Sequence, residues 1–231
     1  EYTKNPRAYN SEFGAEFQSY ENRWIADDSP LFRMVDTRLD PLQPFGDFQK
    51  QYYMGIDAGF SNDGFSIAVS HFEPNYIESP ESLLPETHAY YPEWVEELKA
   101  DPEAHKGGKY VLDYFEVFYA GEGEYEGYNV LPVEGDNGMI TRVVNCAKRY
   151  PIRKGFLDQF AGVVLQELLL KKGLKAIEMV NVNAAINNDV HKVFNMLLHQ
   201  HSIKMGHDPE FIKELRQLKA KLIGNGFLRV E

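Results

Sequence analysis

The chain has 231 residues, 43% of them hydrophobic, with 14 Tyr, 15 Phe and a formal charge of −11. That length suits one domain of moderate size, or one domain with an appendage, and the apolar content is enough for a core. No stretch approaches the roughly 18 apolar residues of a helical membrane span, and the one cysteine, Cys146, excludes an internal disulfide and fits a reducing compartment.

The amino end, Glu1-Tyr2-Thr3-Lys4, has no initiator Met and no apolar signal region, so the expectation is an excised piece of a longer protein without a secretion signal. Charge is spread unevenly. Residues 73–103 hold nine acidic side chains and one basic, Lys99, whereas residues 141–229 hold fifteen Lys or Arg against seven Asp or Glu. The second half could therefore offer a positive face to a polyanion, or its lysines could be ordinary solvated helix faces.

Residues 1–50 are polar and aromatic, with Pro30, Pro41 and Pro44 breaking up all but a turn or two of helix near 10–17. They read as a linker or arm, and residues 51–231 as the folded domain. Strands at 52–56 and 65–72 flank Gly59-Phe60-Ser61-Asn62-Asp63-Gly64, a hairpin signal. Asp57 ends the first strand, and a carboxylate is costly to bury there unless it is paired or bound to a metal. Asp63 is by default a turn residue.

Residues 73–108 contain five of the twelve prolines and most of the acid, and read as a surface insertion with a short helix near 92–100. A third strand follows at 109–119, then a Gly/Glu-rich turn region at 121–127. Met139, Ile140, Val143, Val144 and Ala147 are spaced for one face of a helix over 138–150, with Cys146 a small apolar residue of that helix and Pro151 its stop. A fourth strand, 152–157, runs into Asp158, which could be a metal ligand or the N-cap of the next helix.

That helix, 159–172, has its two faces marked by Phe160, Val163, Val164 and Leu168 against Glu167 and Lys171, with Gly173 as a C-terminal cap. A fifth strand is expected at 176–182. A helix at 187–201 turns Val190, Val193, Phe194, Leu197 and Leu198 inward, and a last helix, 209–223, ends at Gly224-Asn225-Gly226.

Three strands in a meander, then helix–strand–helix–strand–helix, indicate an α/β fold: a mixed sheet of five strands or more, flanked by helices. In that arrangement strands one and four can lie side by side and parallel. Asp57 and Asp158 then sit near the same sheet edge, where sites of open α/β sheets form. Paired carboxylates suit Mg²⁺ or Mn²⁺. Two such ions can activate water on one side of a phosphodiester and stabilise the leaving oxygen on the other. Asp57, on the central strand, would bridge both ions; Asp158 would bind one; Asp63 would support a metal directly or through water. No His-Glu-x-x-His zinc signature, Ser/His/Asp nucleophile or P-loop is visible.

With these residues laid out, the chain resembles the nuclease domain of a tailed-bacteriophage large terminase, a member of the RNase H-like superfamily. Residues 5–17, NPRAYNSEFGAEF, resemble the segment that links the family's ATPase motor to its nuclease. Residues 53–68, YMGIDAGFSNDGFSIA, resemble its first strand, turn and second strand. Residues 139–170, with GFLDQFAG at their centre, resemble the unit that bears the second catalytic acid, and residues 211–230 the helix and strand before the third.

The resemblance implies an RNase H-like fold with Asp57 and Asp158 as the first and second catalytic acids and Asp63 as an auxiliary one. It implies Mg²⁺- or Mn²⁺-dependent cleavage of concatemeric double-stranded viral DNA in the cytoplasm of an infected bacterium, with no membrane involved. Its partners would be a small terminase subunit, a portal protein and an ATPase domain of the same polypeptide, missing here. The family's third acid usually follows the last strand, and the sequence stops at Glu231 before such a motif; Asp208, the nearest substitute, falls before the last helix. Two other readings stand beside this one. One is a non-catalytic RNase H-like module that docks DNA or a partner. The other is an actin-like or sugar-kinase-type ATPase fragment, suggested by Gly55-Ile56-Asp57-Ala58-Gly59 but lacking a second strong phosphate loop.

Overall fold

The computed structural model describes residues 23–59, 64–84, 90–101, 105–158, 162–222 and 228–230. The chain divides into two compact units. The larger consists of Met34–Val182 with Ser202–His207.

β1 (Tyr52–Ala58) alternates strictly between buried and exposed residues. Tyr52, Met54, Ile56 and Ala58 point into the core, while Tyr53, Gly55 and Asp57 point the other way, as a period-two pleat requires. β2 (Phe65–Ile77) and β3 (Lys106–Phe118) pair antiparallel beside it, completing the meander. Both are longer than expected, and their far ends extend into the stretch read as an insertion. Between them lies a short helix, α2 (Tyr91–Ala100), the second after α1 (Ser29–Met34).

α3 (Met139–Arg149) buries Met139, Ile140, Val143 and Cys146, one stripe of a 3.6-residue period. Lys148 and Arg149 lie in its last turn, where the helix dipole favours cations. Then come β4 (Ile152–Asp158), α4 (Gly162–Lys171) and β5 (Ile177–Val180), with β4 parallel to both β1 and β5. Gly173 follows α4 in the left-handed conformation, φ +88°, as its capping role requires. A short strand, β6 (Ile203–Met205), adds in parallel to β3. The sheet is therefore six-stranded and mixed, in the order β5-β4-β1-β2-β3-β6. β6 is too short to carry a pattern in the sequence.

Residues from β1 to β5, α3 and α4 form one apolar cluster, centred on Met54, Ile56, Phe65, Ile67, Val143, Cys146 and Leu157. Burial pushes the Cys146 thiol up to about 11. The packed face of α4 is Leu165 and Leu169, whereas Val163 and Val164, expected to mark its apolar face, are exposed.

The far end of β2 and β3 is held by polar contacts instead. Asp36, fully buried, accepts hydrogen bonds from Arg38 at 2.6 and 3.0 Å and from the Tyr76 hydroxyl at 2.5 Å. Its N–H donates to Met205 of β6 at 2.8 Å. Buried Glu78 pairs with Lys109 at 2.8 Å and Lys204 at 3.2 Å. On the neighbouring stretch, His71 Nδ1 lies 2.7 Å from Asp113, and Lys50 lies 3.1 Å from His71 and 2.8 Å from Glu73. Such pairs fix register more than they add stability, because desolvation offsets most of their attraction.

The smaller unit contains residues 23–33, Asn183–His201 and the described residues from Asp208 onward. Its helices are α5 (Ala184–His199) and α6 (Pro209–Gln217), and its strands β7 (Ala220–Leu222) and β8 (Leu228–Val230) pair antiparallel. Trp24 stacks on Phe194 at 5.5 Å and meets His191 edge-on at 5.3 Å. Two expectations are corrected here. Val190 and Val193 are exposed, and α5 buries Asn188 and Leu198. The last helix stops at Gln217, and the residues expected to continue it form β7, whose pairing with β8 outweighs local helix propensity.

Replacing Ile67, 1% exposed, by Ala is expected to cost about 2–5 kcal/mol in denaturant unfolding, the range for a truncated core aliphatic. Burial pushes the Asp36 carboxyl up, but hydrogen bonds from Arg38 and Tyr76 outweigh it and hold the pKa below the ordinary value. The ionised form is thus favoured by folding. Its contribution is present above the ordinary carboxylate range and is lost as pH falls through the depressed folded value. Unfolding curves taken below about pH 4 should show a shallower acid-induced loss in Asp36→Asn than in the parent.

Candidate functional site

β1 lies between β4 and β2, so its residues Tyr52 to Ile56 have partners on both sides. On the β4 side the parallel register runs Met54 to Gly155, Gly55 to Phe156 and Ile56 to Leu157. The next residue on each strand is an aspartate. Asp57 and Asp158 therefore end their strands side by side, at the same end of the sheet and on the face opposite Ile56 and Leu157. The adjacency expected from the sequence is present.

Its physical setting differs from the expectation. Asp57 does not end a strand buried on both faces; it is exposed, and Asp158 is half-buried. Exposure to water lowers the cost of carrying these charges. Asp57 faces Ser66 across β2, and Asp158 faces Val180 across β5. Ala68 and Phe156 flank Gly55. Tyr53 and Phe156 keep 40% and 41% of their surface exposed, so rings border the small residues beside the acids. Lys154 lies 5.3 Å from the centre of the Phe156 ring and 3.0 Å from Glu178.

Asp63, the expected auxiliary acid, lies outside the described residues, as does residue segment 5–17. Among the described residues no set of three His, Cys, Asp or Glu side chains is arranged to hold a metal ion. The donors supplied here are two adjacent carboxylates. Hard oxygen donors of this kind fit Mg²⁺ or Mn²⁺, which take one or two carboxylates and complete their shell with water and phosphate.

Asp208 serves a different purpose. In the smaller unit its Oδ1 accepts the N–H groups of Glu210 and Phe211, both at 3.1 Å, and caps α6 ahead of Pro209. A groove of about 590 Å³ lined by Lys50, Tyr53, Phe72 and Glu73 lies toward the start of β1, at the opposite end from Asp57. Sequence reasoning passed over Ser66, Ala68 and Phe156. Counting back in twos from Asp57 and Asp158 would have found Gly55 and Phe156 on the same face.

Neither protein-family models nor curated protein sequences match this chain. Solved structures do. The large terminase nuclease of the thermophilic phage G20c with bound magnesium superposes with a TM-score of 0.55 at 11% identity, covering 91% of this chain and 87% of that one. The nuclease domain of the Thermus phage P74-26 large terminase gives 0.53 at 12% identity, over 90% and 85% of the two chains. The large terminase of bacteriophage HK97 gives 0.57 at 9% identity, covering all of this chain but 46% of that longer one. The chain has the fold of phage large-terminase nuclease domains.

Asp208→Ala should cost about 1 kcal/mol of stability, the usual value of a lost N-cap. It should leave any metal-dependent DNA cleavage at the parent rate, which a plasmid-nicking assay beside a thermal melt would read.

Proposed function

We propose that this chain, with its terminase-nuclease fold, is the metal-dependent endonuclease domain of a viral DNA-packaging terminase large subunit. It cleaves concatemeric double-stranded DNA by two-metal-ion phosphodiester hydrolysis, with Asp57 and Asp158 as the catalytic metal ligands and Asp63 as an auxiliary one. The observation that carries this reading is the β1–β4 register, which leaves two aspartates neighbouring on one open face. Support also comes from the fold likeness to terminase nucleases, one of which, that of phage G20c, is solved both with magnesium and with cobalt.

The bound ions, Mg²⁺ or Mn²⁺, would supply a water acidified enough to attack phosphorus near neutral pH. The chain's own residues bind and orient. Asp57 is fixed by a strand paired on both sides, which holds a carboxylate more rigidly than a loop could. Asp158 is fixed by pairing of β4 on both sides in the same way. Among the described residues the face around them is exposed, which would leave room for a duplex. A net charge of −11 gives the domain little phosphate-neutralising grip, so it would rely on an ATPase domain, a small terminase subunit and a portal to hold DNA.

Asp57→Asn and Asp158→Asn should each lower Mn²⁺-dependent cleavage of plasmid DNA by on the order of a hundredfold or more. That corresponds to several kcal/mol of metal-derived stabilisation at about 1.4 kcal/mol per tenfold. Both variants should melt like the parent and bind Mn²⁺ more weakly by calorimetry. Cleavage that survives both substitutions would end this reading.

A further inference from the structure

Two glycines sit at almost the same level of neighbouring strands, and only one of them is explained by packing. Gly155 of β4 faces the core, where an added Cβ would come within 3.0 Å of Ile177 Cγ1 and 3.4 Å of Met54. Close packing demands glycine there. Gly55 of β1 faces outward, and an added Cβ would meet no described residue within 4 Å. Its φ is not positive, so its backbone conformation does not require glycine either. A glycine inside a strand nevertheless costs about 0.5–1 kcal/mol relative to a residue with a side chain.

β1 is a central strand, where β-branched residues would be favoured by both propensity and pairing. Nothing among the described residues explains the vacancy at Gly55. It lies two residues before Asp57 on the same face, a separation of about 7 Å along a strand. Along a duplex axis that is about two base-pair rises of ~3.4 Å. Its neighbours prolong the clearing: Ala68 and Ser66 on β2 are small, while Phe156 and Tyr53 border it as rings.

We infer that Gly55 is a clearance position, kept bare so that the sugar–phosphate backbone of a DNA strand can lie directly on β1 as its scissile phosphate reaches Asp57. This inference rests on the nuclease reading above and assigns Gly55 no chemical step. The residue determines how closely the substrate approaches; a side chain at this position would lift the strand away from the acids.

The test is a volume series, Gly55→Ala, Gly55→Val and Gly55→Phe, measured for duplex cleavage in Mn²⁺, for duplex binding without metal, and for melting temperature. Because no described residue lies within 4 Å of an added Cβ, all three should melt at or above the parent temperature. Cleavage should fall in order of side-chain size. Gly55→Val should lose about a hundredfold, the order expected when reacting groups are displaced by ~1 Å. Binding should weaken in the same order, while Mn²⁺ affinity stays at the parent value because Asp57 and Asp158 are untouched. Parent-like cleavage by Gly55→Val or Gly55→Phe would overturn the inference. A melting temperature that falls in step with activity would also overturn it, since glycine would then serve the fold. Failure of the underlying function appears separately: the unmodified chain would not cut, and Asp57→Asn would change nothing.

Discussion

The parallel pairing of β1 with β4 is the constraint from which the candidate site follows. Side chains alternate along both strands, so shifting one strand by a single residue exchanges its two faces. Such a slip would turn Asp57 into the cluster of Phe65, Ile67, Val143 and Leu157 and bring Met54 and Ile56 out to water. Burying an unpaired carboxylate costs several kcal/mol, and each exposed aliphatic forfeits about 1.5–3 kcal/mol more. Gly155 tightens the lock, because it is the point where Met54 and Ile177 approach the β4 backbone. The placement of the acids is therefore set by core residues on the opposite face of their strands.

The sheet is held by different physics at its two ends. Around β1, β4 and α3 the contacts are apolar and non-directional. Toward the far ends of β2 and β3, buried Asp36, Glu78 and Lys204 require specific partners, which they find in Arg38, Tyr76 and Lys109. Beside buried Val35, Val111 and Met205, charged pairs hydrogen-bonded in place help fix a three-residue edge strand, since they tolerate only one arrangement. The arrangement explains how β6 belongs to the sheet despite its brevity.

What could be read from the sequence tracks the strength of local periodicity. β1 alternates without exception, α3 has a clean stripe, and Pro151 separates α3 from β4, so these elements and the neighbouring aspartates were legible. The faces of α4 were not. Val163, Val164, Leu165, Leu168, Leu169 and Leu170 surround the helix, so a helical wheel offers no preferred side and only packing of Leu165 and Leu169 decides. The reverse error befell residues 218–222, where Leu218, Ala220 and Leu222 alternate but Lys and Leu favour helix. β7 exists because β8 is there to receive it. Asp57 was singled out for the cost of burying it, whereas the structure leaves it exposed at the strand end.

Cys146, the chain's single thiol, is wholly shielded on α3, and burial raises its pKa to about 11. Thiolate is the reactive species, so an alkylating reagent meets a sulfur both screened and protonated. Labelling then waits for the sheet unit to open, and its rate reports how often that happens. The molecule carries its own clock for conformational opening, with no probe to be introduced.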